Sequence, residues 1–364
     1  MAYTTIDDPS AYFQTHIYTG NNSASGQTIT FGGNSDLQPD LTWIKCRNSS
    51  SFNHYIVDSS RGENNSVHLR LVPNGTQADG DGYTDNFSSD GFRCVNDNGT
   101  VNGNQTYVSW NWKCNGGTTS SNTEGTETTT IQVNNTAGFS IITYTGDGST
   151  SSSNNGGHGL DVTPRVVIVK YRAGSGESWY VFHKSLGDDK HIGLNHTGAV
   201  ADANVFNWDG SIPTATTFPI RGSGTQVNAS EGTYVAYCFS EVQGYSKFGS
   251  YTGNGSTDGP FVYTGFKPAW VMIKRTSGTE NWVLWDNKRD PFNNFYHVLL
   301  PNATSAEDTS NAGSGGRYVG DFLSNGFKVR TSSGSFNQNA TTTLYIAFAE
   351  SPFVSSEGVP TTAR

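Results

Sequence analysis

Tyr18-Thr19-Gly20-Asn21 returns as Tyr144-Thr145-Gly146-Asp147-Gly148-Ser149-Thr150 and again as Tyr251-Thr252-Gly253-Asn254-Gly255-Ser256-Thr257. After each copy come a proline, five residues with an apolar run, and a lysine: Pro39 to Lys45, Pro164 to Lys170 and Pro268 to Lys274. A third block follows: His54-Tyr55-Ile56-Val57-Asp58, Trp179-Tyr180-Val181-Phe182-His183 and Trp282-Val283-Leu284-Trp285-Asp286. Each copy closes on an aromatic, Trp112, Phe239 or Phe348, which stand 94, 95 and 97 residues beyond the opening tyrosine. The chain is therefore one unit of about 95 residues written three times.

The apolar segments of the unit are short. Some alternate, as at Phe139, Ile141 and Thr143, and some run unbroken, as in Val166-Val167-Ile168-Val169, which are the patterns of half-buried and fully buried strands. Gly-Asn, Asp-Gly, Asn-Gly and Ser-Gly clusters between them supply tight-turn chemistry. No segment carries a capped helical periodicity. A unit of this size can close its own core, so the expected fold is all-β: three tandem β-sandwich domains at 1–117, 118–244 and 245–364. Lys113 to Asn122 is the first joint, and residues 128–133 are expected to open the first strand of copy two. The second joint, Glu241 to Ser246, is short enough to fix copies two and three at one angle.

Composition narrows the function classes. Only 15% of the 364 residues are charged and 34% hydrophobic, yet 20 Phe, 17 Tyr and 8 Trp supply the large side chains a core needs. A net charge of -9 with no Lys/Arg cluster argues against nucleic acid as a partner. No apolar run reaches 18 residues, so no membrane insertion is expected, and Met1 to Pro9 has neither the basic nor the apolar region of a secretory signal. An extracellular role would need another exit, such as release by lysis inside a virus particle. Cys46, Cys94, Cys114 and Cys238 lack zinc or C-x-x-C spacing and are read as free thiols, with a single bridge among the first three left open.

The opening Ile6 to Thr15, the junction Tyr237 to Ser256 and the ending Phe348 to Val354 resemble a family of repeat proteins from aquatic tailed phages. These are described as virion or tail-fibre-like proteins with concanavalin/laminin-G-like, jelly-roll sandwich domains. The resemblance runs from end to end and implies folding in the host cytoplasm followed by location in a virus particle. It also suggests homo-oligomers, a trimer or fibre, and contact with other virion proteins; it supplies no active site. Copy one departs from the others at its close, Trp110-Asn111-Trp112-Lys113.

Several constellations could carry chemistry. Glycoside hydrolysis needs two acids about 5 to 9.5 Å apart, and no strand carries such a pair. Glu241 and Glu350 hold matching positions, where copy one has Cys114, and are read as ion-paired to lysine at a sheet edge. Asp79-Gly80-Asp81-Gly82-Tyr83-Thr84-Asp85 begins like a calcium loop but lacks its twelfth-position glutamate, so turn chemistry accounts for it and calcium remains a lesser alternative; no other cofactor or metal is expected. The N-x-[ST] triplets, such as Asn74-Gly75-Thr76 and Asn302-Ala303-Thr304, are read as accidents of composition. Trp110 and Trp112 belong to a stripe common to all copies, hence to a core.

Ligand binding is placed in the loops that differ between copies. Copy two offers His191, Asn195, His196, Trp208 and Asp209, and copy three offers Asn293, Tyr296 and His297. An aromatic platform beside Asn, Asp and His suits a sugar; the alternative is that Trp208 and Tyr296 cap their own cores. The chain is thus read as a non-enzymatic virion protein, a tail fibre or surface appendage, that adheres to host-surface glycans through several weak contacts. The rival readings are a purely architectural, self-assembling fibre or capsid-decoration protein without a ligand, and a polysaccharide-degrading enzyme.

Overall fold

The computed structural model describes residues 2–362 apart from 175, 189, 203–207, 209, 210 and 311–315. It is 41% strand and 3% helix, so the all-β expectation holds. Each copy builds one large antiparallel sheet with the same four-strand centre. In copy one the order is Phe13–Thr19, Thr106–Trp112, Leu41–Cys46, Tyr55–Asp58. In copy two it is Phe139–Thr145, Thr233–Phe239, Val166–Tyr171, Trp179–His183, and in copy three Ser246–Thr252, Thr342–Pro352, Phe266–Arg275, Val283–Asp286. A small sheet covers one face of each: Gln27–Thr30, Gly91–Cys94 and Thr84–Ser88 in copy one, Asn155–Gly157 and Thr217–Pro219 in copy two, Phe261–Tyr263, Gly326–Val329 and Gly320–Leu323 in copy three. Strand Thr129–Asn134 opens copy two at the expected place.

The repeated tetrapeptide is structural. Its tyrosine hydroxyls donate to backbone carbonyls of a facing loop, Tyr18 to Val101, Tyr144 to Val227 and Tyr251 to Phe336, at 2.9, 2.8 and 2.8 Å. The next residue of that loop is an asparagine whose side-chain oxygen accepts the N–H after the glycine: Asn102 from Asn21, Asn228 from Asp147, Asn337 from Asn254. The glycines are required because a Cβ on Gly20, Gly146 or Gly253 would lie 2.1, 2.4 or 2.3 Å from a facing backbone oxygen.

The expectation that each copy closes its own core is corrected. Side chains alternate across a strand, so each large sheet has two faces. One face meets the copy's own small sheet; Ile44, Tyr55, Val57 and Tyr107 do so in copy one. The other faces of all three large sheets bury one another in a shared core of 33 described residues, larger than the separate cores of 12, 14 and 17. This explains the unbroken run Val166 to Val169, which is buried on both faces. The three closing aromatics meet at the centre: Trp112, Phe239 and Phe348 have ring centroids 5.6 to 6.5 Å apart. Trp110 and Trp112 are core, as expected, but of this common core.

The three seams repeat one set of bonds in a closed ring. The indole of Trp179 donates to Val72 O of copy one at 2.9 Å, and that of Trp282 to Gly193 O of copy two at 2.8 Å. At the third seam His54 takes the tryptophan's place and bonds Leu300 O of copy three at 3.0 Å. The buried lysines follow the same direction: Lys170 donates to Thr76 O, Lys274 to Thr197 O and Lys45 to Thr304 O. The acceptor loops are the triplets Asn74-Gly75-Thr76, Asn195-His196-Thr197 and Asn302-Ala303-Thr304, whose asparagine oxygens accept from His54 N, Trp179 N and Trp282 N. These three triplets are therefore seam clasps rather than accidents of composition. Their threonine supplies a carbonyl that offsets the cost of burying an ammonium.

Beneath the clasps, two seams carry a buried ion network. Arg61 pairs with Asp58 and Asp79, and Arg172 of copy two reaches the same Asp79 at 2.6 Å. Arg289 pairs with Asp286 and Glu307, and Arg47 of copy one reaches that Glu307 at 2.7 Å. In copy two the aspartate and arginine positions hold His183 and Leu186. The chain ends reinforce the ring: Tyr3 donates to Gly265 O, Thr4 to Gln243 O, and Asp7 accepts from Ser356 N.

Candidate functional site

Counting three residues back from the repeated tyrosine gives Thr15, Ile141 and Phe248, all on the opening strand and all buried. Ile141 and Phe248 fill their seams with apolar bulk. The seam between copies one and two is further covered by strand Thr129–Asn134, whose Gln132 donates to Ser59 and Ser60 hydroxyls at 2.9 and 2.7 Å. Between copies two and three, Leu186 packs against the same core as Phe248. At the seam between copies three and one the corresponding position holds Thr15, a smaller and polar side chain.

An open groove of about 530 Å³ occupies that place. Its volume lies in the range of small-molecule sites. Phe13, Ala269 and Ala349 contribute apolar surface to it; Gln14, Asn34, Asn287, Lys267, Lys288 and Glu350 contribute polar groups; Phe292 is also in its lining and is 80% exposed. Thr15 and Asn287 are 5% and 7% exposed, and the Thr15 Oγ1 and Asn287 Oδ1 atoms find no hydrogen-bond partner among the described residues. A buried polar atom left unpaired costs about 1 to 3 kcal/mol, so two of them in one groove mark a place where an outside hydroxyl or water is wanted. Asn287 Nδ2 is already engaged, donating to Glu350 at 2.8 Å, and Lys267 pairs with Glu350 at 3.3 Å. Nearby, burial and the charge of Lys288 hold the His16 imidazole below its ordinary value.

The copy-three candidates Asn293, Tyr296 and His297 lie on the loop that follows Phe292 but are not in the groove lining. Asn293 donates to Phe322 O and accepts from Phe322 N, which ties it to its own small sheet. The His297 ring bonds Asp290 at 2.5 Å, and Asp290 also accepts the N–H groups of Tyr296 and His297, with Tyr296 stacked on His297. These contacts shape the loop, while Asn287, Lys288 and Phe292 line the groove. The signal that finds it in the sequence is the polar Thr15 where the other copies have Ile141 and Phe248.

The described copy-two candidates do not converge on the groove. Trp208 is 1% exposed, packed edge-on against Phe182 in its own core, so it cannot serve as a platform. Asn195 is the clasp residue that accepts from Trp179 N. The His191 ring packs at a tilt against Tyr180, and the His196 ring accepts from Gly198 N and lies against Gly193. Asp209 lies outside the described residues.

The remaining candidates resolve into local pairs. Glu241 pairs with Lys247 at 3.4 Å and Arg165 at 3.6 Å, and Glu350 with Lys267, as read from the sequence. The calcium-like acids point to separate partners: Asp79 to Arg61 and Arg172, Asp81 to Asn64 and Asn65, Asp85 to Arg93. Among the described residues no three or more His, Cys, Asp or Glu side chains converge as a metal site would require. All four cysteines are buried and free, and no helix among the described residues is long and apolar enough to cross a membrane.

Comparison with known proteins gives one result. No curated protein and no solved structure matches the chain. A family model, described as a domain of unknown function (DUF7483), matches residues 8–352 and so takes in all three copies. The chain belongs to the DUF7483 family.

Proposed function

We propose that this chain is a non-enzymatic adhesion protein that binds host-surface glycans in the groove between copies three and one, and that it works as part of a virus particle, in a tail fibre or surface appendage. The observation that carries the binding reading is the unfilled seam: two buried polar atoms without a partner among the described residues, Thr15 Oγ1 and Asn287 Oδ1, in a groove that also includes the exposed ring of Phe292. Sugars present hydroxyls to such atoms and apolar C–H faces to an aromatic ring. The location in a particle is supported by the sequence resemblance of the opening, junction and closing motifs. On a particle, many copies would sum weak single contacts.

The test is a glycan panel probed with the intact chain and with Thr15→Ile. The isoleucine restores what copy two has at this position, so it should remove the hydroxyl and narrow the groove floor without loss of melting temperature. Binding by the intact chain that disappears in Thr15→Ile is the expected result. Unchanged binding in the variant, or no binding of any glycan by the intact chain, would overturn the reading.

An architectural role without a ligand is favoured by a different feature. Strand Phe261–Tyr263 forms an edge of the copy-three small sheet, with Phe261 and Tyr263 46% and 52% exposed. Such an edge can pair with another chain. Filaments or lattices of the purified protein that vanish in Val262→Pro, together with an empty glycan panel, would establish that role instead.

A further inference from the structure

We infer that the groove selects saccharides bearing a carboxylate, with Lys288 as the group that reads the charge. The inference rests on the glycan-binding reading above and narrows it to acidic sugars.

The reasoning starts from where the chain's cations are spent. Of its ten lysines, Lys45, Lys170 and Lys274 are held by backbone carbonyls inside the seams. Lys184, Lys190, Lys247, Lys267 and Lys328 each pair with a carboxylate. Among the described residues Lys288 and Lys113 do neither, and only Lys288 lines a groove. In a chain of net charge -9, an exposed ammonium left without a counterion among the described residues, beside an open groove, is a marked exception.

The rest of the groove agrees with that sign. Its lining holds two lysines and one acid, and that acid is already occupied by Lys267 and by Asn287 Nδ2. The groove therefore carries a net positive charge on an acidic protein, which repels no carboxylate and attracts one. The two buried orphan atoms lie in the lining, where sugar hydroxyls could reach them, and Phe292 offers a ring face to an apolar sugar face. Lys288 follows Asn287 in the chain and lines the same groove as Asn287 and Thr15. A neutral sugar would satisfy the hydroxyl contacts and leave the ammonium unanswered; a uronic acid would satisfy both.

The experiment measures binding of the intact chain to two hexasaccharides, a β-1,4-linked mannuronate hexamer and β-1,4-mannohexaose, which differ only in the carboxylate or hydroxymethyl at C6. Tighter binding of the mannuronate, weakened by added salt and reduced about fivefold in Lys288→Gln while the mannohexaose affinity is unchanged, is the expected result. Lys288 is exposed, so its substitution leaves the fold intact. Equal binding of both sugars, or mannuronate binding indifferent to Lys288→Gln, would overturn the charge preference and leave the groove as a neutral glycan site. Failure of both hexasaccharides would overturn the inference; if the wider panel is also empty, the glycan reading falls with it.

Discussion

At residue scale the seams turn on which nitrogen of a buried histidine carries hydrogen. The His54 Nδ1 accepts from Trp43 Nε1 at 2.9 Å, which leaves Nε2–H to donate to Leu300 O across the seam. His183 repeats the arrangement, with Nδ1 accepting from Ser185 N and Nε2–H donating to Tyr345 O of copy three. Both rings must stay neutral, because a proton on Nδ1 would face another donor. Burial accordingly drives both below the ordinary histidine value, His183 to about 4. The unfolded chain takes up that proton first, so this contribution to stability is present above pH 6.5 and is lost as pH falls from 6.5 towards 4. For His183 the full loss is about 3 kcal/mol. Urea midpoints measured between pH 7 and 4 should therefore fall, and His183→Gln, which keeps a donor and an acceptor, should flatten that slope. A slope unchanged in the variant would show that His183 does not titrate in the folding equilibrium.

At element scale the chain is legible as far as its side chains carry the roles, and illegible where backbone carries them. The strand order follows from three copies of the same blocks, and the tyrosine, glycine and asparagine of the turn motif are visible because each role needs that side chain. The clasps are different. Thr76, Thr197 and Thr304 act through their carbonyl oxygens, so nothing in their side chains announces that they receive Lys170, Lys274 and Lys45. The asparagine of each triplet is the better sign, since only its side chain can meet the N–H at the head of the third block. Asn74→Ala, Asn195→Ala and Asn302→Ala should each cost about 1 to 3 kcal/mol, the range for orphaning a buried donor. Chemical denaturation of the three variants checks this, and a neutral effect would remove the clasp from the account. The groove was half visible in the same way: Thr15 stands out against Ile141 and Phe248, but only the ring closure places copy three beside it.

At the scale of the whole molecule, the three copies are bound into one body. The strongest sequence signal, repetition, pointed to independent tandem units, because repetition reports a shared local fold and is silent on how the outer faces of the sheets are covered. Those outer faces are rich in tryptophan and phenylalanine, Trp43, Trp110, Trp112, Trp179, Trp270, Trp282 and Phe348 among them, and only the other copies cover them. Removing any one copy would expose the aromatic faces of the other two. The ring also makes the groove: with copy one sealed against copy three by the N-terminal residues Tyr3 and Asp7, an open seam becomes a fixed site instead of a hinge.

Scanning calorimetry of the intact chain tests that unity most directly. A shared core and a closed ring require the three copies to melt together, giving one transition whose calorimetric and van't Hoff enthalpies agree. Three resolved transitions, or a calorimetric enthalpy near three times the van't Hoff value, would mean that each copy folds on its own and would contradict the account.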